Sequence, residues 1–158
     1  MCSSDLFTVL ENLPAYAAAL DAHFRSVARP GTEIVLHGMH RDTYRTDYPG
    51  SDIRYDYLQS LHAQQFVWRG IQAEEAGFDV YAILSLCDPM MTQTRAVIDI
   101  PVVGYGESSM LTATMLGEKF GVLMFIPELL IQFTRKVEAA GLAGRYAGAR
   151  HEIGRAHV

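Results

Sequence analysis

Residues 78–86, Phe-Asp-Val-Tyr-Ala-Ile-Leu-Ser-Leu, are almost continuously apolar. The run is short for a buried helix, and it lacks the polar alternation of a strand with one face in water. It predicts a strand covered on both faces, the position of an inner strand in a parallel sheet. Gly77 marks a break before it, and Cys87-Asp88-Pro89 marks one after it.

Helical and strand patterns alternate on either side. Pro14 followed by Tyr16, Leu20, Phe24 and Val27 predicts a helix that ends near Arg29-Pro30-Gly31. The stretch TEIVLHG, residues 32–38, reads as a strand. Residues 39–53 are polar with a Pro49-Gly50 turn signal, and predict a long loop of the kind that often forms a lid. Ala63, Phe66, Val67, Gly70, Ile71 and Glu74 share one face of a second helix, stopped by Gly77. A short helix at 90–98, a strand at 101–105, a helix from Glu107 to about Lys119 and a strand at 120–125 follow. The last helix, 127–140, carries Leu130, Phe133, Val137 and Ala140 on one stripe. This alternation predicts an α/β fold, with the strands at 32–37, 79–85 and 101–105 in one parallel sheet flanked by helices.

Composition narrows the partners. At 158 residues, 49% hydrophobic and 20% charged, the chain has material for a real core. A net charge of -5 argues against nucleic acid or an anionic membrane as partner. No apolar run approaches the roughly 20 residues of a spanning helix, and no export signal is evident. Two cysteines without such a signal fit a reduced, cytoplasmic protein.

Both ends read as foreign to the fold. The tail EIGRAHV, residues 152–158, is similar to a translated short-read sequencing adapter, and the head MCSSDL, residues 1–6, to its opposite strand. Native sequence is then expected from about Phe7 to His151, with Cys87 its one thiol.

In such sheets ligands sit outside the carboxyl ends of the strands, where two corners attract notice. Ser85, Cys87 and Asp88 follow the buried run; Asp88 can cap the next helix and Pro89 suits its first turn. Backbone N–H groups there can hold a carboxylate or a developing enolate. The plainer reading is a good helix start beside a small buried hydrophobe. Gly104-Tyr105-Gly106-Glu107-Ser108-Ser109 opens the other helix. It is similar to a nucleotide-binding glycine loop, but Ser109 stands where a third glycine belongs. A tight turn at Gly106, with Glu107 favoured at the positive helix end, explains it equally. His37 and His40 lack the companions of a metal site, and His62 reads as a lone, solvent-facing helix residue.

The stretch AEEAGFDVYAILSLCDPMMTQTRAVIDIPVVGYGESSMLTATMLGEKFGVLMF, residues 73–125, resembles the Asp/Glu/hydantoin racemase superfamily, and within it the hydantoin-racemase-like branch. The matching elements are Ala73-Glu74, Gly77-Phe78-Asp79, Asp88-Pro89, Arg95 before Asp99-Ile-Pro-Val-Val-Gly104, Gly106-Glu107 and Leu116-Gly117. RPGTEIVLHGMH at 29–40 and Gly141-Leu142 extend the likeness over roughly residues 14–150.

The resemblance implies two flavodoxin-like halves with the site between them. Residues 7–118 would form the first lobe, its first strand damaged or missing and residues 5–9 in that slot, and 119–151 the start of the second. It implies cofactor-free racemisation of a small molecule: one cysteine thiolate removes the proton α to a carbonyl, and a second thiol delivers one to the opposite face. Homo-oligomerisation is left open. Ser85 stands where the first cysteine of the family stands, three positions before Asp-Pro, with Cys87 two residues on as its understudy. Met90 replaces the glycine usual after Asp-Pro, and the second cysteine would lie beyond residue 151. Asp88, Pro89, Gly106, Glu107, Ser108 and Ser109 would shape the substrate's anion pocket. A decarboxylase-type lyase and a non-catalytic small-anion binding domain are the competing readings.

Overall fold

The computed structural model describes residues 2–152. Met1 and residues 153–158, which hold nearly all of the expected adapter-like tail, lie outside them. The elements run β1 (Cys2–Asp5), α1 (Pro14–Val27), β2 (Ile34–His37), α2 (Gly50–Ile53), α3 (Asp56–Glu75) and β3 (Val80–Ile83). They continue with α4 (Met91–Arg95), β4 (Val102–Gly104), α5 (Tyr105–Leu116), β5 (Phe120–Met124), α6 (Leu129–Ala139) and β6 (Tyr146–His151). The first four strands form one parallel sheet in the order β2-β1-β3-β4, and β5 and β6 form a separate parallel pair. This is the α/β architecture expected from the alternating pattern.

β3 holds the two sides of the fold together. Tyr81 and Ile83 are fully buried on one face, and Val80 and Ala82 are half-buried on the other. α3 covers the buried face with Ala63, Phe66, Gly70 and Ala73, and the Tyr81 hydroxyl donates to the Phe66 carbonyl at 2.9 Å. Glu74 reaches from the end of α3 to accept the N–H groups of Asp99 (2.6 Å) and Ile100 (3.0 Å). That bond orders the turn into β4 and explains the Glu of the Ala-Glu element.

Three expectations are corrected. The central slot belongs to Cys2–Asp5, which pairs in register with both β2 and β3, and not to residues 5–9. Pairing is made by main-chain groups, so a polar Ser-Ser-Asp stretch can enter the ladder. The chain then leaves the sheet at Leu6 and Phe7, both buried. Second, α5 begins at Tyr105, two residues early, because its first N–H groups find a remote acceptor described below. Third, His62 is not solvent-facing: its Nε2 lies 3.3 Å from Asp52 Oδ2, and its ring meets Tyr44 edge-on at 5.1 Å. Asp52 is 1% exposed and also accepts the Arg45 backbone N–H and Nε. Burial opposes its ionisation, but the bonds from Arg45 and His62 outweigh this and hold its carboxyl below the ordinary value. The 39–53 stretch is therefore anchored by Asp52, by buried Met39 and by the Tyr44 hydroxyl on the Phe7 carbonyl. A strand that the sequence reading did not foresee also forms at 146–151, where Ala and Gly give little strand propensity.

The apolar residues divide into two clusters. One packs α3 and α4 on the four-stranded sheet, around Phe66, Tyr81 and Ile83. The other packs α6 on the β5–β6 pair, around Phe120, Phe133 and Val137, with Cys87 and Met110 against it. No helix is long and apolar enough to cross a membrane among the described residues.

Candidate functional site

The two corners meet, and Asp88 joins them. The chain leaves β3 at Ile83 and turns at Ser85, whose carbonyl accepts the Asp88 N–H at 2.9 Å. Asp88 and Met90 both take left-handed backbone conformations, with φ of 42° and 57°. Such φ values are costly for residues other than glycine. Met90 thus sits at a conformation that a glycine takes without strain, which accounts physically for the glycine of the resembling family at that place.

Asp88 does not cap α4, the helix after it; that helix starts at Met91, with Met90 at its N-cap and no side-chain cap. The bent backbone turns the carboxylate the other way, to the start of α5. Oδ1 accepts the Gly106 N–H and Oδ2 the Glu107 N–H, both at 2.7 Å. Lys136 Nζ, from α6, is 2.7 Å from Oδ2, and the Asp88 side chain is completely buried. One carboxylate thus satisfies the N-terminus of α5 and pairs with a cation from the second apolar cluster. Close approach demands glycine here: a Cβ on Gly106 would lie 1.9 Å from the Leu86 carbonyl oxygen, and one on Gly104 2.5 Å from the Asp88 carboxyl carbon.

Glu107 turns outward and receives Arg95 through both guanidinium nitrogens, at 3.2 and 2.6 Å. Arg95 also donates to the Val102 carbonyl, tying α4 to β4. The hydrogen bond from Arg95 holds the Glu107 carboxyl below its ordinary value. Ser108 is exposed and Ser109 half-buried on the first turn of α5.

Cys87, Asp88 and Pro89 line a polar cleft of about 270 Å³ together with Gln59, Ser60, Gln93 and Gln132. Ser85, Gly106, Glu107, Ser108 and Ser109 do not line it; Gly106 and Glu107 join the corner through Asp88 alone. A second cleft, of about 570 Å³, opens between the loops that follow β1 and β2 and is lined by Thr8, Asn12, Tyr44, Arg45 and Asp47 among others. Both lie past the carboxyl ends of adjacent strands, where ligands of parallel sheets bind. Lys136, Gln59 and Arg45 escaped the sequence reading. Lys136 and Gln59 lie on long amphipathic helices, where a polar residue gives no local sign of pointing inward.

Burial pushes the Cys87 thiol up to about 11; Lys136 pulls it down and Asp88 pushes it further up. Cys87 is therefore a protonated thiol at neutral pH. Relative to the ordinary value of 9.0 its thiolate fraction falls about 100-fold. Alkylation of the Cys87 peptide by iodoacetamide, followed by mass spectrometry, should be slow at pH 7.5 and rise about tenfold per pH unit toward pH 11. Lys136→Met should slow it further. Labelling at pH 7.5 at the rate of a free exposed thiol would contradict this environment.

A model of the Asp/Glu/hydantoin racemase family matches residues 14–156. Hydantoin racemase of Pseudomonas sp. (strain NS671) is 34% identical over 79 residues, 50% of this chain and 32% of that protein. The structure of allantoin racemase from Klebsiella pneumoniae superposes with a TM-score of 0.77 and 27% identity, covering 95% of this chain and 56% of that one. Allantoin racemase from Pseudomonas fluorescens shares the fold with a TM-score of 0.77 at 21% identity, over 95% of this chain and 59% of that one. The chain thus spans little more than half the length of the solved structures it matches.

Proposed function

The chain belongs to the Asp/Glu/hydantoin racemase family, and from that premise we propose that it carries one side of a cofactor-independent isomerase site that moves a proton at a carbon α to a carbonyl. The observation that carries the reading is the corner after β3, locked to the start of α5 by Asp88, with Ser85 and Cys87 on its approach. Ser85 holds the acid/base position. Cys87, a protonated thiol, suits proton delivery better than removal. Asp88, Pro89, Gly106 and Glu107 build the frame, and Ser108 and Ser109 offer hydroxyls beside it. The substrate is a hydantoin, an amino acid or a related small α-carbonyl compound. Residues 7–118, with Cys2–Asp5 as the central strand of their sheet, read as the first lobe and 119–151 as the opening of the second; the separate sheets support that division.

A lyase is the second reading, and the state of Cys87 favours it. Loss of carbon dioxide from a malonate-type acid leaves an enolate that needs one proton on one face, which a single thiol can deliver. Small-anion binding at α5 is less favoured, because the N–H groups at 106 and 107 already serve Asp88. Substrates in D₂O with mass detection separate the readings. Proton exchange at the α-carbon of a hydantoin, raised by Ser85→Cys, supports the isomerase. Carbon dioxide release from a malonate-type acid, lost in Cys87→Ala, supports the lyase. Neither reaction in either protein would sink the assignment of this corner.

A further inference from the structure

The outward face of α3 carries large apolar side chains in a row. Tyr57, Leu61 and Trp68 are 76%, 46% and 66% exposed, while the opposite face of the same helix packs inward through Ala63, Phe66, Gly70 and Ala73. With Gln64 they recur at spacings of four, three and four, the seam along which two helices lie side by side. From Tyr57 to Trp68 the chain has no Asp, Glu, Lys or Arg. The water-facing side of a helix normally carries charge. The centre of a protein contact loses charge and gains Trp and Tyr.

The order of these side chains says what the partner is. About a point between Gln64 and Gln65 the seam is self-complementary. Leu61 and Trp68 lie equally far from that point, then Tyr57 and Gln72, then Arg54 and Glu75. A second copy laid antiparallel sets Leu61 against the Trp68 of the other chain, twice. It puts the two Gln64 amides, each both donor and acceptor, side by side at the axis. It also brings Arg54 toward the Glu75 of the other chain. Arg54 lies 3.1 Å from Glu128 but remains exposed, so this outer pair steers docking more than it binds. A parallel copy would oppose Glu75 to Glu75 and align the two helix dipoles unfavourably. Self-complementarity of this kind is what a two-fold contact between identical chains requires.

We propose that the outward face of α3 is a self-association surface, on which a second copy of this chain docks antiparallel about a two-fold axis beside Gln64. The contact is independent of the racemase reading, and measuring it needs no turnover. One helix pair covers less than the roughly 800 Å² per partner of a standard interface, so the association is reversible. Trp68 is the single tryptophan of the chain and reports on the seam directly. Over a concentration series of the full chain, sedimentation should show a monomer–dimer equilibrium. The Trp68 emission should shift to the blue with the same midpoint. Leu61 is exposed, so Leu61→Glu keeps the fold; it should raise the dissociation constant about tenfold or more and move the emission shift with it. Oxidative cross-linking, with the unaltered chain as blank, reads the orientation. Gln64→Cys should cross-link. Tyr57→Cys should not, because antiparallel docking holds the two copies of position 57 about 22 Å apart along the axis. Three results would each overturn the proposal. One is a monomer at every concentration up to about 1 mM, where even millimolar affinity shows. Another is a dimer equally tight in Leu61→Glu, which would run through another face, such as exposed Leu123 and Phe125. The third is cross-linking through Tyr57→Cys as fast as through Gln64→Cys, the mark of a parallel pair.

Discussion

Asp88→Ala should destabilise the chain by about 3–5 kcal/mol, a large part of the roughly 5–15 kcal/mol available to a domain. Three partners lose their acceptor at once: the N–H groups of Gly106 and Glu107, and the ammonium of Lys136, which is only 17% exposed. Removing one side of a buried pair leaves the other side's desolvation uncompensated, and this term dominates. Lys136→Met should cost less, because the remaining carboxylate keeps two charge-assisted bonds at the positive end of α5. The double variant should be less destabilised than the sum of the two, since the shared pair is lost only once. Urea denaturation with hydrogen exchange measures all three. Lys136 comes from α6, so exchange should accelerate across α6 and the β5–β6 pair, as well as at the start of α5. A cost under about 1 kcal/mol for Asp88→Ala would show that the corner does not depend on this hub.

The fold was legible where apolar spacing carried the information. Phe66 and Gly70 fell where helical periodicity placed them, and Tyr81 where a continuous apolar run placed an inner strand, because burial against neighbouring elements leaves a pattern that a single sequence displays. The strand at 2–5 was not legible as such. Its place comes from parallel pairing on both sides, and its residues carry no strand propensity. The site was half legible. Glycines at 104 and 106 and an Asp-Pro corner can be read as chain-turning signals. That the Asp88 side chain turns back to α5 instead of capping α4 depends on φ values of 42° and 57° that no propensity predicts. Lys136 lies 48 positions from Asp88 by subtraction of their numbers, and their pairing follows only from the docking of α6. The family-like elements turn out to be joints between neighbouring segments: Glu74 to the 98–100 turn, Arg95 to Glu107, and Asp88 to α5.

The 158-residue chain should show no measurable inversion of hydantoins or amino acids, while Ser85→Cys should raise α-proton exchange at least 100-fold. Inversion requires proton removal from one face of a carbon and delivery to the other. The corner after β3 approaches from one side, and its two candidate groups differ by only two positions in the chain. Neither is a good base at neutral pH: a serine hydroxyl ionises far above it, and Cys87 only near 11. A cysteine at position 85 would replace a hydroxyl with a thiol, a group that ionises several pH units lower, at a half-buried place just past β3. With a base on one face alone, each abstracted proton is replaced on the face it left. In D₂O this yields α-deuterium with retained configuration, visible by mass but silent in optical rotation. The signature separates a one-sided site from a complete one, because a complete site would incorporate deuterium and lose rotation together. Inversion by the unaltered chain would overturn the one-sided mechanism. Ser85→Cys with exchange no faster than the parent chain would remove position 85 from the acid/base role.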